Sequence, residues 1–261
     1  MNLVVCIKQV PNTTEIKIDP VTNTLIREGV ESILNPFDTY AVEEAVRLKE
    51  KHGGSVTALC MGPPQGEEIL REAVSLGVDK IVLLSDRRFA GADTWATSLT
   101  LAAAIRKLGD VDLVITGQQA TDGDTAQVGP GIAAHMGLPQ TCFVRQVEAV
   151  ECKNVILQRL MEDGFDRVKM QMPAVISVVK EINTPRLPSL RGKKNAKTAE
   201  LVIWNCDDLG LSETEVGLNG SPTQVLKIFT PKHDKVTEKF TGPADEAADL
   251  MVKRLDQLTK P

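Results

Sequence analysis

At 261 residues, 42% hydrophobic and 25% charged, the chain can bury a sizeable core as one large α/β domain or as a main domain with an appendage. A net charge of -5 and an aromatic content of only 3% argue against a general phosphate-backbone binder and against stacked-base recognition of nucleic acid, though not against a small nucleotide held locally. No apolar run approaches the ~20 residues of a membrane span, and the N-terminus enters a strand without a basic and apolar leader, so a cytoplasmic protein is expected.

In chain order, Leu3-Val4-Val5-Cys6-Ile7 is a continuous apolar run, the mark of a central strand. Glu15 to Arg27 alternates around Asp19-Pro20 and Thr22-Asn23 and predicts an exposed hairpin. Asn35-Pro36-Phe37-Asp38 opens a helix, with Asp38 as the expected N-cap and Ala41, Val42, Ala45, Val46 and Leu48 on its apolar face. Val56 to Met61 is the next strand, and a helix from about Gly66 to Leu76 stops at Gly77. Asp79 to Leu84 is a third strand, Thr94 to Leu108 a helix, and Val111 to Ile115 a fourth strand.

This β-α alternation over roughly the first 140 residues predicts a doubly wound, mostly parallel sheet with helices on both faces. Such sheets bind ligands at the carboxyl ends of their strands, near a reversal of strand order. Four stretches fall at those ends: Cys6 to Gln9, Asn35 to Asp38, Met61-Gly62, and the loop Gly117-Gln118-Gln119-Ala120-Thr121-Asp122-Gly123-Asp124-Thr125-Ala126-Gln127-Val128. The loop precedes a short helix ending at Gly137, and unpaired N–H groups at a helix start suit a phosphate. An ordinary strand-to-helix connection with a capping Thr or Asp would read the same way.

Beyond Pro139, Thr141 to Val150, Val155 to Met161 and Arg167 to Met172 are strand-like, and Pro173 to Val179 returns to a buried strand. Asn183 to Lys197 carries Arg186, Arg191, Lys193, Lys194 and Lys197 and no acid, which predicts an exposed basic loop containing Leu187 and Leu190. Glu200 to Pro243 is expected to be irregular, followed by an amphipathic helix over about Ala244 to Thr259. The domain division expected is 1–182 for the nucleotide-binding α/β domain with a β-rich extension from about 141, 183–198 for the loop, and 199–261 for a C-terminal arm.

Catalytic signatures are missing. There is no GxxxxGK[ST], GxSxG or HExxH, and Gly129-Pro130-Gly131-Ile132-Ala133-Ala134 lies too far after its strand for a dinucleotide fingerprint. His52, His135 and His233 have no ligand-like spacing, so no metal site is expected. The five cysteines (Cys6, Cys60, Cys142, Cys152 and Cys206) contain no CxxC and read as free thiols of a reducing compartment.

Over essentially its whole length the chain resembles the β subunit of electron transfer flavoproteins. The carriers are Val4 to Pro11, Asn35 to Asp38 followed by Ala41-Val42-Glu43-Glu44-Ala45, the Gln119 to Pro130 loop, and Arg159-Leu160-Met161-Glu162-Asp163-Gly164 leading to Pro173 to Ser177. Asp166 stands where the family signature prefers Glu or Gln. The resemblance implies a heterodimer with an FAD-bearing α subunit. It implies an adenine nucleotide contacted by Cys6, Asn35, Pro36, Phe37, Asp38, Met61 and Gly117 to Val128. It also makes the basic segment a recognition loop for an acyl-CoA-type dehydrogenase, with Leu187 as anchor and Arg191, Lys193 and Lys194 as a polar rim.

Two subtypes are implied: a housekeeping carrier with structural AMP in this site, and a bifurcating form with a second FAD there. The second accepts hydride from NADH and splits the electrons between a low-potential ferredoxin or flavodoxin and the dehydrogenase. The Thr121 to Pro130 loop and Val10-Pro11-Asn12-Thr13 resemble the bifurcating form. A stand-alone nucleotide sensor with a universal-stress-type sheet would fit the first 140 residues but leave the basic segment and arm without a role.

Overall fold

The computed structural model describes residues 1–12, 32–226 and 237–259. The hairpin expected over Glu15 to Arg27 and His233 lie outside the described residues. Two compact units are present, Met1–Leu226 and Lys227–Pro261.

In the first unit the elements follow as β1 (Asn2–Ile7), β2 (Gln9–Pro11), β3 (Ser32–Leu34), α1 (Pro36–His52), β4 (Ser55–Met61), α2 (Glu67–Leu76), β5 (Lys80–Leu84) and α3 (Thr94–Leu108). They continue as β6 (Leu113–Gly117), α4 (Val128–Met136), β7 (Gln140–Glu151), β8 (Asn154–Met161), β9 (Gly164–Gln171), β10 (Ala174–Val178), α5 (Leu190–Thr198) and β11 (Leu201–Trp204). Nine strands form one sheet in the order β11-β5-β4-β1-β6-β10-β7-β8-β9, while β2 and β3 pair separately. Every pairing from β11 to β7 is parallel, and β7, β8 and β9 close the sheet as an antiparallel meander.

The alternation of side chains along a strand explains the two cores. Leu3, Val5 and Ile7 join Ala41, Val42, Ala45, Ile69, Leu70 and Ala73 on the face covered by α1 and α2. Val4 and Cys6 join Leu101, Ala104, Ile105 and Ile132 on the opposite face, under α3 and α4. The fold is therefore doubly wound and mostly parallel.

The second half departs from the expected loops. Residues 190–198 form α5 instead of loop, because Ser189 Oγ accepts from Gly192 N at 2.9 Å and Ala196 is buried against the domain. Residues 201–204, expected as irregular, add β11 to the sheet edge parallel to β5, and Cys206 after it is fully buried. The second unit contains α6 (Ala244–Thr259), on which Leu250, Met251, Leu255 and Leu258 are all exposed. No helix among the described residues is long and apolar enough to cross a membrane.

Candidate functional site

The strand order reverses at β1: β4 and β5 follow to one side, and β6 lies on the other. At this switch point the carboxyl ends of β1 and β6 leave a crevice, and the first turn of α1 is tied into it. Asn35 N donates to Lys8 O at 2.9 Å, and Lys8 N donates to Asp38 Oδ2 at 2.8 Å. Gly117 ends β6 against this turn. A Cβ there would lie 2.4 Å from Asp38 Oδ1 and 2.7 Å from the Phe37 carbonyl carbon, so no side chain fits.

Asp38 is not the N-cap expected from the sequence. Pro36 occupies the first helical position, where its missing N–H costs nothing, and Asn35 is the N-cap residue without a side-chain cap bond. Asp38 is instead buried inside the first turn. Burial pushes its carboxyl up to about 7, opposed by hydrogen bonds from the Asn35 side chain and from the Lys8 and Gly117 backbone. The same burial raises the Cys6 thiol, and it lifts Cys60 to about 12, so neither is a thiolate at neutral pH.

Asn35 holds the following loop from beneath. Its Nδ2 donates to Gln119 O at 2.9 Å, and its Oδ1 accepts from Thr121 N at 3.2 Å. Lys8 Nζ pairs with Asp122 Oδ1 at 2.6 Å, and Gln119 Nε2 donates to Asp124 Oδ1. Asp124 and Ala126 both take left-handed backbone, with φ of 53° and 55°. For residues with a Cβ such conformations cost of order 1 kcal/mol or more and concentrate at ligand-binding turns. The Thr121, Thr125 and Gln127 side chains donate to none of the described residues.

The loop runs into α4, whose N-cap residue Gln127 makes no side-chain cap bond and whose first turn carries no acid. The first N–H groups of that helix lack intrahelical acceptors. Beside them the buried Thr116 Oγ1 has no hydrogen-bond partner among the described residues, and a Cβ on Gly129 would sit 3.0 Å from it. At Gly123 an added Cβ would meet nothing within 4 Å. A glycine-permitted approach, unpaired donors and an orphaned buried hydroxyl together fit the phosphates of a nucleotide.

The electron transfer flavoprotein domain matches residues 22–209. The chain belongs to the electron transfer flavoprotein family, as a β subunit. It is 50% identical over 257 residues to the electron transfer flavoprotein subunit beta of Thermoanaerobacterium thermosaccharolyticum, covering 98% of each chain. It is 48% identical over 259 residues to the caffeyl-CoA reductase-Etf complex subunit CarD of Acetobacterium woodii, again covering 98% of each. With protein FixA of Azorhizobium caulinodans the identity is 43% over 270 residues, covering 99% of this chain and 96% of FixA. A β subunit of this family implies an α-subunit partner.

In this β subunit Asn35, Phe37, Asp38 and the Gly117 to Val128 loop meet at the switch point, with Cys6 on the adjoining strand end and Met61 at the end of β4. Lys8, inside the Cys6 to Gln9 stretch expected at the strand end, and Thr116, directly before the Gly117 loop, belong to the same cluster, one residue after β1 and one before the end of β6. Leu187, Arg191, Lys193 and Lys194 lie elsewhere, on and before α5, which packs on α2. Among the described residues no cluster of His, Cys, Asp and Glu could hold a metal ion.

At that second location Leu187 is 89% exposed. Its neighbour Arg186 donates from Nε to Glu43 Oε2 at 2.8 Å and from Nη1 to Glu50 Oε1 at 2.6 Å. Burial alone would raise Glu43, but the hydrogen bonds from Arg186 and Arg47 hold its carboxyl below the usual range.

Proposed function

We propose that this β subunit holds FAD in the Gly117 to Val128 site and works with an FAD-bearing α subunit as a cytoplasmic, NADH-oxidising, electron-bifurcating flavoprotein. Flavin bound there would supply hydride acceptance from NADH and release of the two electrons one at a time. The polypeptide's part is positioning. Asn35 and Asp38 fix the loop main chain, and Thr121, Thr125, Gln127 and the α4 N–H groups offer donors to a diphosphate. Electrons would leave in two directions, to a ferredoxin or flavodoxin and, through the α-subunit flavin, to an acyl-CoA-type dehydrogenase docking at Leu187.

The observation that carries the reading is the loop itself: a Cβ on Gly123 would meet nothing within 4 Å, and with the small Thr125 and Ala126 near it the loop would leave room for diphosphate and flavin beyond an AMP portion. One relative, CarD, is named as a subunit of a caffeyl-CoA reductase-Etf complex, which agrees with a CoA-thioester dehydrogenase as partner. The test is anaerobic turnover of the purified α/β complex with NADH, a CoA-thioester dehydrogenase with its enoyl-CoA, and ferredoxin. Ferredoxin reduction that depends on the enoyl-CoA is expected. No NADH oxidation, or NADH oxidation with no reduction of ferredoxin, would remove the bifurcating reading and leave a simple carrier with structural AMP.

A further inference from the structure

The exposure of Leu187 is held from both sides by hydrogen bonds and close packing. On the N-terminal side, Arg186 is fastened to α1 through main chain and side chain alike. Its backbone N and its Nε both donate to Glu43 Oε2, at 3.1 and 2.8 Å, and its Nη2 reaches Glu43 Oε1 at 3.3 Å. Its Nη1 and Nη2 also donate to the two oxygens of Glu50, at 2.6 and 2.9 Å. The Glu43 side chain is only 4% exposed, and Arg47 Nε donates to its Oε1 at 2.7 Å. Three residues earlier, Asn183 Nδ2 donates to Tyr40 O and to Glu44 Oε2, both at 3.0 Å.

On the C-terminal side, Ser189 caps α5, and Gly192 brings that helix against α2 so closely that a Cβ would lie 2.1 Å from Ser75 O. Arg71 Nη1 fixes the far end of α5 by donating to Ala196 O at 2.5 Å. Between the two anchors remain Leu187 and Pro188, and proline restricts the one link left. Arg191, Lys193, Lys194 and Lys197 form no ion pair among the described residues, so the segment's basic character toward a partner comes from them and not from Arg186.

The geometry points to Glu43 as a positioning residue, which through Arg186 holds Leu187 preorganised for docking a dehydrogenase. This rests on the reading of Leu187 as the docking anchor. A leucine already fixed in its bound position spares the complex the entropy of ordering it, so the clamp acts on affinity and not on the electron-transfer step.

The experiment uses the α/β complex with butyryl-CoA dehydrogenase as acceptor, alongside hydrogen exchange over residues 183–189. Glu43→Gln is expected to raise the apparent KM for the dehydrogenase roughly tenfold, with kcat within about twofold and flavin content unchanged. Gly192→Ala, loosening the other anchor, raises KM in the same direction. Both variants speed exchange over 183–189. In a Leu187→Ala background Glu43→Gln adds nothing further, because the two act through one contact.

A Leu187→Ala effect with no KM change in Glu43→Gln would overturn the positioning role while leaving the docking site standing. No effect of Leu187→Ala would remove the docking reading itself. Additive effects of the two substitutions would likewise contradict the clamp, since Glu43 would then act independently of Leu187.

Discussion

Gly117 and Asp38 approach so closely that a methyl group on Gly117 would sit 2.4 Å from the Asp38 carboxylate. This contact seats the first turn of α1 on the end of β6, and the Gly117 to Val128 loop departs from the same point. Gly117→Ala must therefore push α1 away from the sheet. Overpacking of this kind costs roughly 1–3 kcal/mol. A lowered melting temperature together with loss of nucleotide from the purified complex is expected. Normal nucleotide content in Gly117→Ala would show that the contact does not shape the site.

Asn35 satisfies two backbone groups of the loop at once, Gln119 O and Thr121 N. Asn35→Ala removes both bonds; because Gln119 is half-buried and Thr121 exposed, water replaces part of each, and the loss is about 0.5–1.5 kcal/mol per bond. Equilibrium dialysis of the complex should show weaker nucleotide retention, with the dehydrogenase-docking kinetics unaltered.

The Asp38 carboxyl titrates near 7 in the folded chain against an ordinary 3.8. The sign follows from linkage: a carboxylate raised by folding binds its proton more tightly when folded. Between about pH 4 and pH 7 the folded state carries more protons, so its stability falls as pH rises through that window and levels off above it. Asp38→Asn should flatten this part of the stability profile, as read by urea unfolding at several pH values. An unchanged slope would contradict a buried, protonatable Asp38.

Among the described residues Lys8 and Asp122 form the one ion pair between the segment just after β1 and the loop, and the Lys8 side chain is 46% exposed. Exposed pairs contribute about 0–1 kcal/mol, so Lys8→Met should barely move the unfolding midpoint. Its effect belongs in the loop: faster nucleotide dissociation, most visible at low salt where the wild-type pair is strongest. Equal off-rates would mean that the pair does not hold the loop closed.

Leu187→Ala should slow electron transfer to an acyl-CoA dehydrogenase with cofactor content unchanged, because the leucine is exposed just before α5 and is not part of the cluster formed by Asn35, Asp38 and the Gly117 to Val128 loop. Stopped-flow reduction of the dehydrogenase measures this directly. Unaltered kinetics would remove Leu187 as the anchor.

The parallel sheet was legible in the sequence because its central strands are buried on both faces and therefore read as unbroken apolar runs, as in Leu3 to Ile7. The glycine at the end of β6 and the loop after it could be located for the same reason. The start of α1 was misplaced by three residues: Pro36 sets the first turn, and Asp38 is recruited by Lys8 N, a contact across 30 residues that no local pattern encodes. The strand β11 is four residues long in a Gly- and Pro-rich tail, and its partner β5 lies more than a hundred residues upstream. The Lys8–Asp122 pair, separated by 114 residues, was invisible for the same reason. Helix α5 was hidden by Gly192, which reads as a loop residue but serves close packing on Ser75.

The central claim is the identity of the ligand at the end of β6, and counting cofactors in the purified α/β complex tests it most directly. Flavin and adenine nucleotide released by denaturation would be separated and quantified per heterodimer. The account predicts two FAD and no AMP. One FAD with one AMP would contradict it and leave this β subunit the structural half of a single-flavin carrier.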